Sequence, residues 1–257
     1  MMDASGNDLA LLLKAASFSA DRHRGQSRKG VGATPYINHP LDVASTVANV
    51  GGVTDATTLV AAVLHDTVED TSTTAEELEE IFGREVRLLV GEVTDDKSLP
   101  KAERKRLQVE HTATLSSAAK LIKLGDRICN VRDVSENPPP DWSLQRRREY
   151  LDWSERVVAG CRGVNESLEC RFDSVVREAR ETLAREDRRS RHRDLRGGVC
   201  ANRDHLHFGA IAGRVTGGAL SPAAPSTWLQ PTARFRRLHT WPPEPTHGRR
   251  PHRNDRT

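Results

Sequence analysis

The sequence predicts an all-α fold for residues 1–185, followed by a disordered C-terminal tail over residues 186–257. Apolar residues recur at helical spacing throughout the first part, and several of these runs begin or end with residues typical of helix caps. Nothing in this part alternates polar and apolar residues with the period of two that marks a half-buried strand. We therefore expect one helical domain over residues 1–185.

The first three helices are predicted from spacing, glycine and proline. In residues 8–24 leucines and alanines lie along one stripe, and Gly25 ends the run. Pro40 stands in the first turn of the next helix, where a missing N–H costs nothing. Residues 57–69 are nearly all apolar before a charged cluster, which predicts a buried central helix.

The later helices follow at short intervals. Thr74 and Glu77 form a capping-box pattern, and Gly83 ends the helix that they begin. Further helices are predicted over residues 84–93, 101–111, 115–135, 143–161 and 163–185.

The C-terminal part of the chain differs in composition. Residues 186–257 contain 14 Arg, no Lys and 6 acidic residues, a balance of +8, whereas residues 1–185 have a balance of −5. They also hold seven of the 13 prolines and show no apolar period. Such a segment cannot bury enough apolar surface to offset the entropy lost on ordering. We therefore expect it to be disordered.

Composition excludes several classes of protein. No run reaches the roughly 18 apolar residues of a membrane span, and the N-terminus lacks the basic and apolar regions of a signal peptide. The cysteines are unevenly spaced and contain no C-x-x-C, which excludes a zinc finger and gives no disulfide framework. We expect a cytoplasmic protein without a membrane partner.

A charged cluster follows the apolar run of residues 59–64. It consists of His65, Asp66, Glu69 and Asp70. On a helix, residues four positions apart share a face, so His65 would stack on Glu69. Four ionisable groups at the end of a buried helix would be costly to desolvate without a compensating ion. The pattern therefore favours a divalent cation site over a solvated charged face.

Two further residues are candidates to ligate such a cation. His39 directly precedes Pro40 at a helix start, and Asp126 lies in the amphipathic run of residues 118–127. With His65 and Asp66 they would form a mixed imidazole and carboxylate set, and its oxygen donors favour manganese or a similar ion over zinc. Taken singly, His39 also fits a helix cap, and Asp126 fits a partner for a neighbouring arginine.

The order of these four residues resembles the metal signature of the HD superfamily of phosphohydrolases. Longer motifs resemble the hydrolase domain of RelA/SpoT proteins: residues 35–40, 62–71, 93–97, 104–105 and 123–130. Residues 142–153 are similar to the small alarmone hydrolases of the metazoan SpoT-homologue type. The resemblance covers roughly residues 8–183, and the tail resembles nothing in the family.

The resemblance implies an HD-domain helical bundle around a single metal site. The residues that it implies as ligands of one manganese ion are His39, His65, Asp66 and Asp126. It further implies that Glu69 and Asp70 orient or activate the water that attacks the 3′-pyrophosphate of (p)ppGpp, giving GDP or GTP and pyrophosphate. A metal ion that lowers the pKa of water and a carboxylate that accepts the proton suit this reaction.

Six further positions match the surroundings of the nucleotide in the family: Arg28, Lys29, Lys97, Asn130, Arg146 and Tyr150. A substrate with two pyrophosphates requires cationic side chains to bind it, although Lys97 and Arg146 fit solvated charges equally well. Ser27, Gly125 and Cys129 depart from the family pattern, which has Arg, Ala and Tyr at these positions. None of the three departures removes a ligand.

Two other functions fit the same residues. The site could remove the 2′-phosphate of NADPH, which the metazoan-type family also suggests. The chain could instead be a non-catalytic nucleotide binder whose arginine-rich tail contacts RNA, acidic partners or membranes. The intact Glu69–Asp70 pair argues against a purely binding role, and the scarcity of aromatic residues in the tail argues against RNA. The oligomeric state is not determined by the sequence.

Overall fold

The computed structural model describes the backbone of residues 4–200 and the side chains of residues 7–192. Within this range the chain forms a short 3-10 helix (Thr112–Thr114) and the α-helices α1 (Ala4–Arg22), α2 (Asn38–Asn49), α3 (Ala56–Leu64), α4 (Thr67–Asp70), α5 (Ala75–Phe82), α6 (Arg84–Val93), α7 (Lys101–His111), α8 (Ser117–Glu136), α9 (Leu144–Ala159) and α10 (Glu166–Cys200). The predicted all-α fold is confirmed, since residues 4–200 form no strand and only one isolated bridge pairs Ser27 with Pro35.

None of the helices in residues 4–200 is both long enough and apolar enough to span a membrane.

The predicted cap at Thr74 is present, although only half of the capping box forms. Thr74 Oγ1 accepts a hydrogen bond from the Glu77 amide at 3.2 Å, and Gly83 ends α5 with a φ of 89°. The Glu77 side chain does not return to Thr74 but pairs with Arg22 at the end of α1. Thr74 thus caps the start of α5, whereas Glu77 links α5 to α1 through its ion pair with Arg22.

The prediction of one helix over residues 57–69 is wrong at one point, because the helix is broken at His65 and Asp66. Helix α3 ends at Leu64, and Asp66 has φ −96° and ψ −5° before α4 begins. Thr67 Oγ1 donates to the Leu64 carbonyl oxygen at 2.6 Å and thereby supplies a partner for the end of α3. Consecutive residues of a regular helix point about 100° apart, and the break allows His65 and Asp66 to face the same cavity.

Helix α8 lies between two hydrophobic clusters. One face of α8 contributes Ile122 to a cluster with α1, α2, α3, α5 and α6 around Leu64 and Leu78. Its other face contributes Leu124 to a cluster with α9 and α10 that includes Phe172. Burial of α8 on both faces fixes its position in the domain.

Helices α2 and α8 approach closely at Gly125, one of the positions that depart from the family pattern. A Cβ atom at Gly125 would lie 2.8 Å from Val47 Cγ2 and 3.3 Å from the Val43 carbonyl oxygen. The absence of a side chain therefore permits this approach. It brings α2, which carries His39, against the part of α8 that carries Asp126.

The predicted domain boundary at residue 185 falls inside α10, which continues to Cys200. Arg147 on α9 is only 4% exposed. Its Nη1 atom donates to Glu186 Oε2 at 2.6 Å, and its Nε atom donates to the Val134 carbonyl oxygen at 2.9 Å. Arg148 pairs with Asp187 at 2.9 Å. Residues 186–200 are thus helical, and the rest of the predicted disordered tail lies outside the described residues.

Replacing Glu186 with Gln should lower the free energy of unfolding by about 1–2 kcal/mol, because it leaves the buried Arg147 without an anionic partner. The cost is smaller than for a fully buried pair, since the Glu186 side chain is 39% exposed. Glu181→Gln is the matched control, because Glu181 is an exposed residue 3.8 Å from Arg185 and should change stability little. Urea denaturation measures both variants, and equal effects would contradict the role given to Glu186.

Candidate metal centre and adjoining cavity

The four residues predicted as ligands converge from three parts of the chain. His39 lies in the first turn of α2, His65 and Asp66 form the turn between α3 and α4, and Asp126 lies in the middle of α8. His39 Nε2 is 3.2 Å from Asp126 Oδ1 and 3.6 Å from Asp66 Oδ2. His65 Nε2 is 3.2 Å from Asp66 Oδ1 and 4.0 Å from Asp126 Oδ1. All four side chains line a cavity of about 170 Å³, which we call the metal-type cavity.

The donor atoms of this cluster fit a divalent cation. His39, His65 and Asp126 each offer one ligand atom within 4.8 Å of the other two. His65 Nδ1 lies 2.8 Å from the Ala62 carbonyl oxygen and donates to it, so Nε2 is the ring nitrogen that faces the cluster and offers its lone pair to a cation once it is deprotonated. That Nε2 atom is buried, and no group among the described residues forms a hydrogen bond with it. An orphaned imidazole nitrogen beside two carboxylates is the arrangement that a metal ion satisfies.

The charges of the cluster also favour a bound cation. Burial works against the charged form of His65, but Asp66 and Asp126 outweigh it and raise the pKa of His65 to about 9. Burial also works against the ionised form of Asp126, but Arg127 and the two histidines hold its pKa well below the ordinary value. The two carboxylates therefore favour positive charge beside the imidazoles, which a bound cation would supply in place of the His65 proton.

Neighbouring side chains orient the two carboxylates. Arg127 Nε donates to Asp126 Oδ2 at 3.0 Å, while Oδ1 faces His39 and accepts a hydrogen bond from Asn130 Nδ2. The Arg127 guanidinium lies 4.8 Å from the centroid of the Trp153 ring, which supports it. Tyr36 donates its hydroxyl hydrogen to Asp66 Oδ2 at 2.7 Å, or to Asp70 Oδ2 at 3.0 Å. The sequence interpretation gave Tyr36 no role and considered Arg127 only as an ion-pair partner of Asp126, although both lie inside the quoted motifs.

Glu69 and Asp70 lie on α4 and line the same cavity as the four ligand candidates. Glu69 Oε2 accepts a hydrogen bond from the Asp95 amide at 3.2 Å, and Glu69 Oε1 is 3.7 Å from Arg104 Nη1. Burial, with the nearby Asp95 carboxylate, raises the pKa of Glu69 to about 7. A carboxylate with a pKa near neutrality can accept a proton at ordinary pH.

A second cavity of about 490 Å³ adjoins the metal-type cavity and shares Arg28, Tyr36, Asp70 and Asn130 with it. Lys29 and Tyr150 also line it. Arg28 Nη2 donates to Asn130 Oδ1 at 2.7 Å and to Asp133 Oδ2 at 2.8 Å. Four of the six predicted nucleotide-binding residues thus line one cavity: Arg28, Lys29, Asn130 and Tyr150.

The other two predicted residues lie elsewhere. Lys97 is exposed and pairs with Asp70. Arg146 packs its guanidinium 4.5 Å from the centroid of the Trp142 ring and lines a further cavity of about 590 Å³. Trp142 and Tyr150 line both this cavity and the 490 Å³ cavity, so the two are neighbours. Two residues that depart from the family pattern lie outside the metal-type cavity: Cys129 is buried with Sγ 3.6 Å from Thr46 Oγ1, and Ser27 is exposed and lines the 490 Å³ cavity.

Comparison with known proteins gives consistent matches. Residues 15–152 match a family model described as the HD domain. The guanosine-3′,5′-bis(diphosphate) 3′-pyrophosphohydrolase MESH1 of Xenopus tropicalis is 54% identical over 169 residues, covering 66% of this chain and 94% of the relative. The Homo sapiens protein of the same name is 53% identical over 164 residues, covering 64% and 92%.

A solved structure is also similar to this chain. It is described as a metazoan ortholog of SpoT that hydrolyzes ppGpp and plays a role in starvation responses. It superposes with a TM-score of 0.64 at 45% sequence identity and covers 66% of this chain and 95% of its own.

Replacing His65 with Ala should weaken binding of a divalent ion by more than about 100-fold, because it removes a ligand rather than an outer-shell contact worth 10–100-fold. Metal content by elemental analysis and affinity by calorimetric titration with manganese would measure this. His111→Ala is the matched control, since His111 is exposed at the end of α7, and it should leave binding unchanged. A His65→Ala variant with wild-type metal content would exclude His65 as a ligand.

Proposed function

The chain belongs to the HD-domain family, and we propose that it is a manganese-dependent hydrolase that removes the 3′-pyrophosphate of (p)ppGpp to give GDP or GTP and pyrophosphate. One observation carries this proposal. The carboxylates of Glu69 and Asp70 line the cavity of the four ligand candidates, and Asp70 also lines the adjoining cavity to which Arg28 and Lys29 belong. The relatives and the solved structure named above act on the same class of nucleotide.

The metal ion is the first component of the proposed mechanism. Membership of the HD-domain family and the cluster of His39, His65 and Asp126 indicate a divalent metal site. With Asp66 these residues supply two imidazole nitrogens and at least two carboxylate oxygens, a mixed set that supports manganese over zinc. A divalent cation bound there lowers the pKa of water and polarises a phosphoryl oxygen.

Glu69 is the proposed proton acceptor. Its carboxylate is held by the Asp95 amide at 3.2 Å and lines the same cavity as the ligand candidates. From that position it can orient the attacking water and take its proton as the bond to the pyrophosphate breaks. Asp70 is the proposed second water-handling group, and its carboxylate is oriented by Tyr36 and Lys97.

The 490 Å³ cavity is the proposed nucleotide site. Arg28 can bind phosphate oxygens bidentately, and Lys29 adds a point charge beside it. Asn130, which contacts Arg28, and Tyr150 also line this cavity and offer hydrogen-bonding groups to the nucleoside. Arg146 and Lys97 lie outside this cavity and are proposed to contact the parts of the substrate that extend from it.

Removal of the metal should abolish hydrolysis. After chelation and dialysis, release of pyrophosphate from ppGpp should fall to background, and added manganese should restore it, because the cation supplies the charge stabilisation that the residues alone lack. NADPH should be assayed in parallel by release of phosphate. Full activity of the chelated protein would contradict the metal assignment, and release of phosphate from NADPH without turnover of ppGpp would contradict the substrate.

Replacing Glu69 or Asp70 with Ala should lower turnover of ppGpp by about 10²- to 10⁴-fold, the range that general acid–base groups supply. Both variants should keep their manganese and stay folded, since the four proposed ligands remain. The measurement is pyrophosphate release beside metal content, with Glu80→Ala on the exposed face of α5 as the control. A Glu69→Ala variant that loses its metal as completely as Asp66→Ala would make Glu69 a ligand instead.

A further inference from the structure

Lys123 is a buried cation that the proposed mechanism does not use. It lies on α8 about one turn before Asp126, is only 7% exposed, and lines the metal-type cavity. Within the described residues its ammonium donates one hydrogen bond, to the Val93 carbonyl oxygen at 3.2 Å. Burial of a charge with so few partners is costly, and a leucine or methionine would pack there without that cost.

The position of Lys123 is also unfavourable for metal binding. Its positive charge lies in the cavity where His39, His65, Asp66 and Asp126 would hold a cation, and like charges repel. The amine therefore serves a purpose other than holding the metal.

The hydrogen bond that Lys123 makes points to that purpose. Val93 is the last residue of α6, and the final carbonyl groups of a helix lack partners within the helix and favour a cation. Two residues later, the Asp95 amide donates to Glu69 Oε2 at 3.2 Å. Lys123 thus anchors the end of α6 two residues before Asp95, and the Asp95 amide holds the carboxylate of Glu69, the proposed proton acceptor.

A second contact, from α7, holds the same segment. Gln108 on α7 donates from Nε2 to Asp95 Oδ2, so α7 and α8 each anchor the segment that follows α6. Neither Gln108 nor Lys123 forms a hydrogen bond with Glu69 in the structure. The hydrogen bond from this segment to Glu69 comes from the backbone amide of Asp95.

We propose that Lys123 is a positioning residue for hydrolysis, which holds the end of α6 so that the Asp95 amide keeps the Glu69 carboxylate directed into the cavity. This inference rests on the proposed function, because it takes Glu69 as the proton acceptor. A carboxylate that is displaced by about 1 Å can cost on the order of 100-fold in rate without loss of binding.

The first test is Lys123→Met, which keeps the length and apolar stem of the side chain but removes the ammonium. It should lower kcat for ppGpp by about 10- to 100-fold, with KM within about two-fold of wild type. Manganese affinity should be unchanged or higher, because a repelling charge is removed. Lys120→Met is the matched control, since Lys120 is a partly exposed lysine of α8 outside the metal-type cavity that donates to the Ala113 carbonyl oxygen at 2.8 Å, and it should keep wild-type kcat.

The second test is a double-mutant cycle with Glu69→Gln, measured by single turnover with enzyme in excess. If Lys123 acts through Glu69, Lys123→Met should cause no further loss of rate in the Glu69→Gln background. Fully additive losses would overturn the proposal, and so would full kcat in Lys123→Met or a loss of its manganese.

Two controls keep the outcome unambiguous. If Lys123→Met does not fold, Gln108→Leu tests the same segment from α7 in the same cycle, with the exposed Gln145→Leu as its control. A wild-type chain that releases no pyrophosphate from ppGpp would refute the proposed function and the positioning role together. A fully active Lys123→Met beside an impaired Glu69→Gln would refute the positioning role alone.

Discussion

Burial of a cluster of carboxylates and imidazoles is the constraint on which the rest of the structure depends. His39, His65 and Asp126 are each at most 6% exposed, and the two aspartates of the cluster lie within 4 Å of the histidine nitrogens. Charges brought this close and away from water require compensation, from a cation or from hydrogen bonds. Much of the surrounding polar structure, from Arg127 on Asp126 to Tyr36 on Asp66, supplies that compensation.

Helix α8 connects this centre to its support. Four polar residues recur along it at spacings of three and four: Lys123, Asp126, Arg127 and Asn130. Residues at these spacings share one face of a helix, and here that face lines the metal-type cavity while the remaining faces are packed in the two hydrophobic clusters. Because packing fixes α8, it also fixes the distances between a ligand candidate, the arginine that orients it and the asparagine shared with the nucleotide cavity. The close contact of α2 with α8 at Gly125 also fixes the position of His39 relative to these residues.

The two adjoining cavities divide the proposed reaction between them. The smaller one holds the acidic and imidazole groups that would ligate a cation, whereas Lys29 lines the larger one. Arg28, Asp70 and Asn130 line both, so a phosphoryl group bound by Arg28 would lie beside a carboxylate proposed to handle the water. The Arg28 guanidinium is itself held by Asp133 and Asn130, which reduces the entropy it would lose on binding a phosphate.

The sequence by itself determined the all-α fold, most helix ends and the set of ionisable residues at the centre. Those features depend on local periodicity, on capping residues such as Thr74, and on the order of the histidines and aspartates of the metal signature. Only the tertiary structure decided the break at His65 and Asp66, the continuation of α10 beyond residue 185, and the support of Glu69 by Asp95. It also decided that Lys97 and Arg146 lie outside the cavity that Arg28 lines. These features depend on contacts between residues far apart in the chain, as between Arg147 and Glu186 or Lys123 and Val93. No local pattern encodes which distant partner is present, because that is settled by how the helices pack.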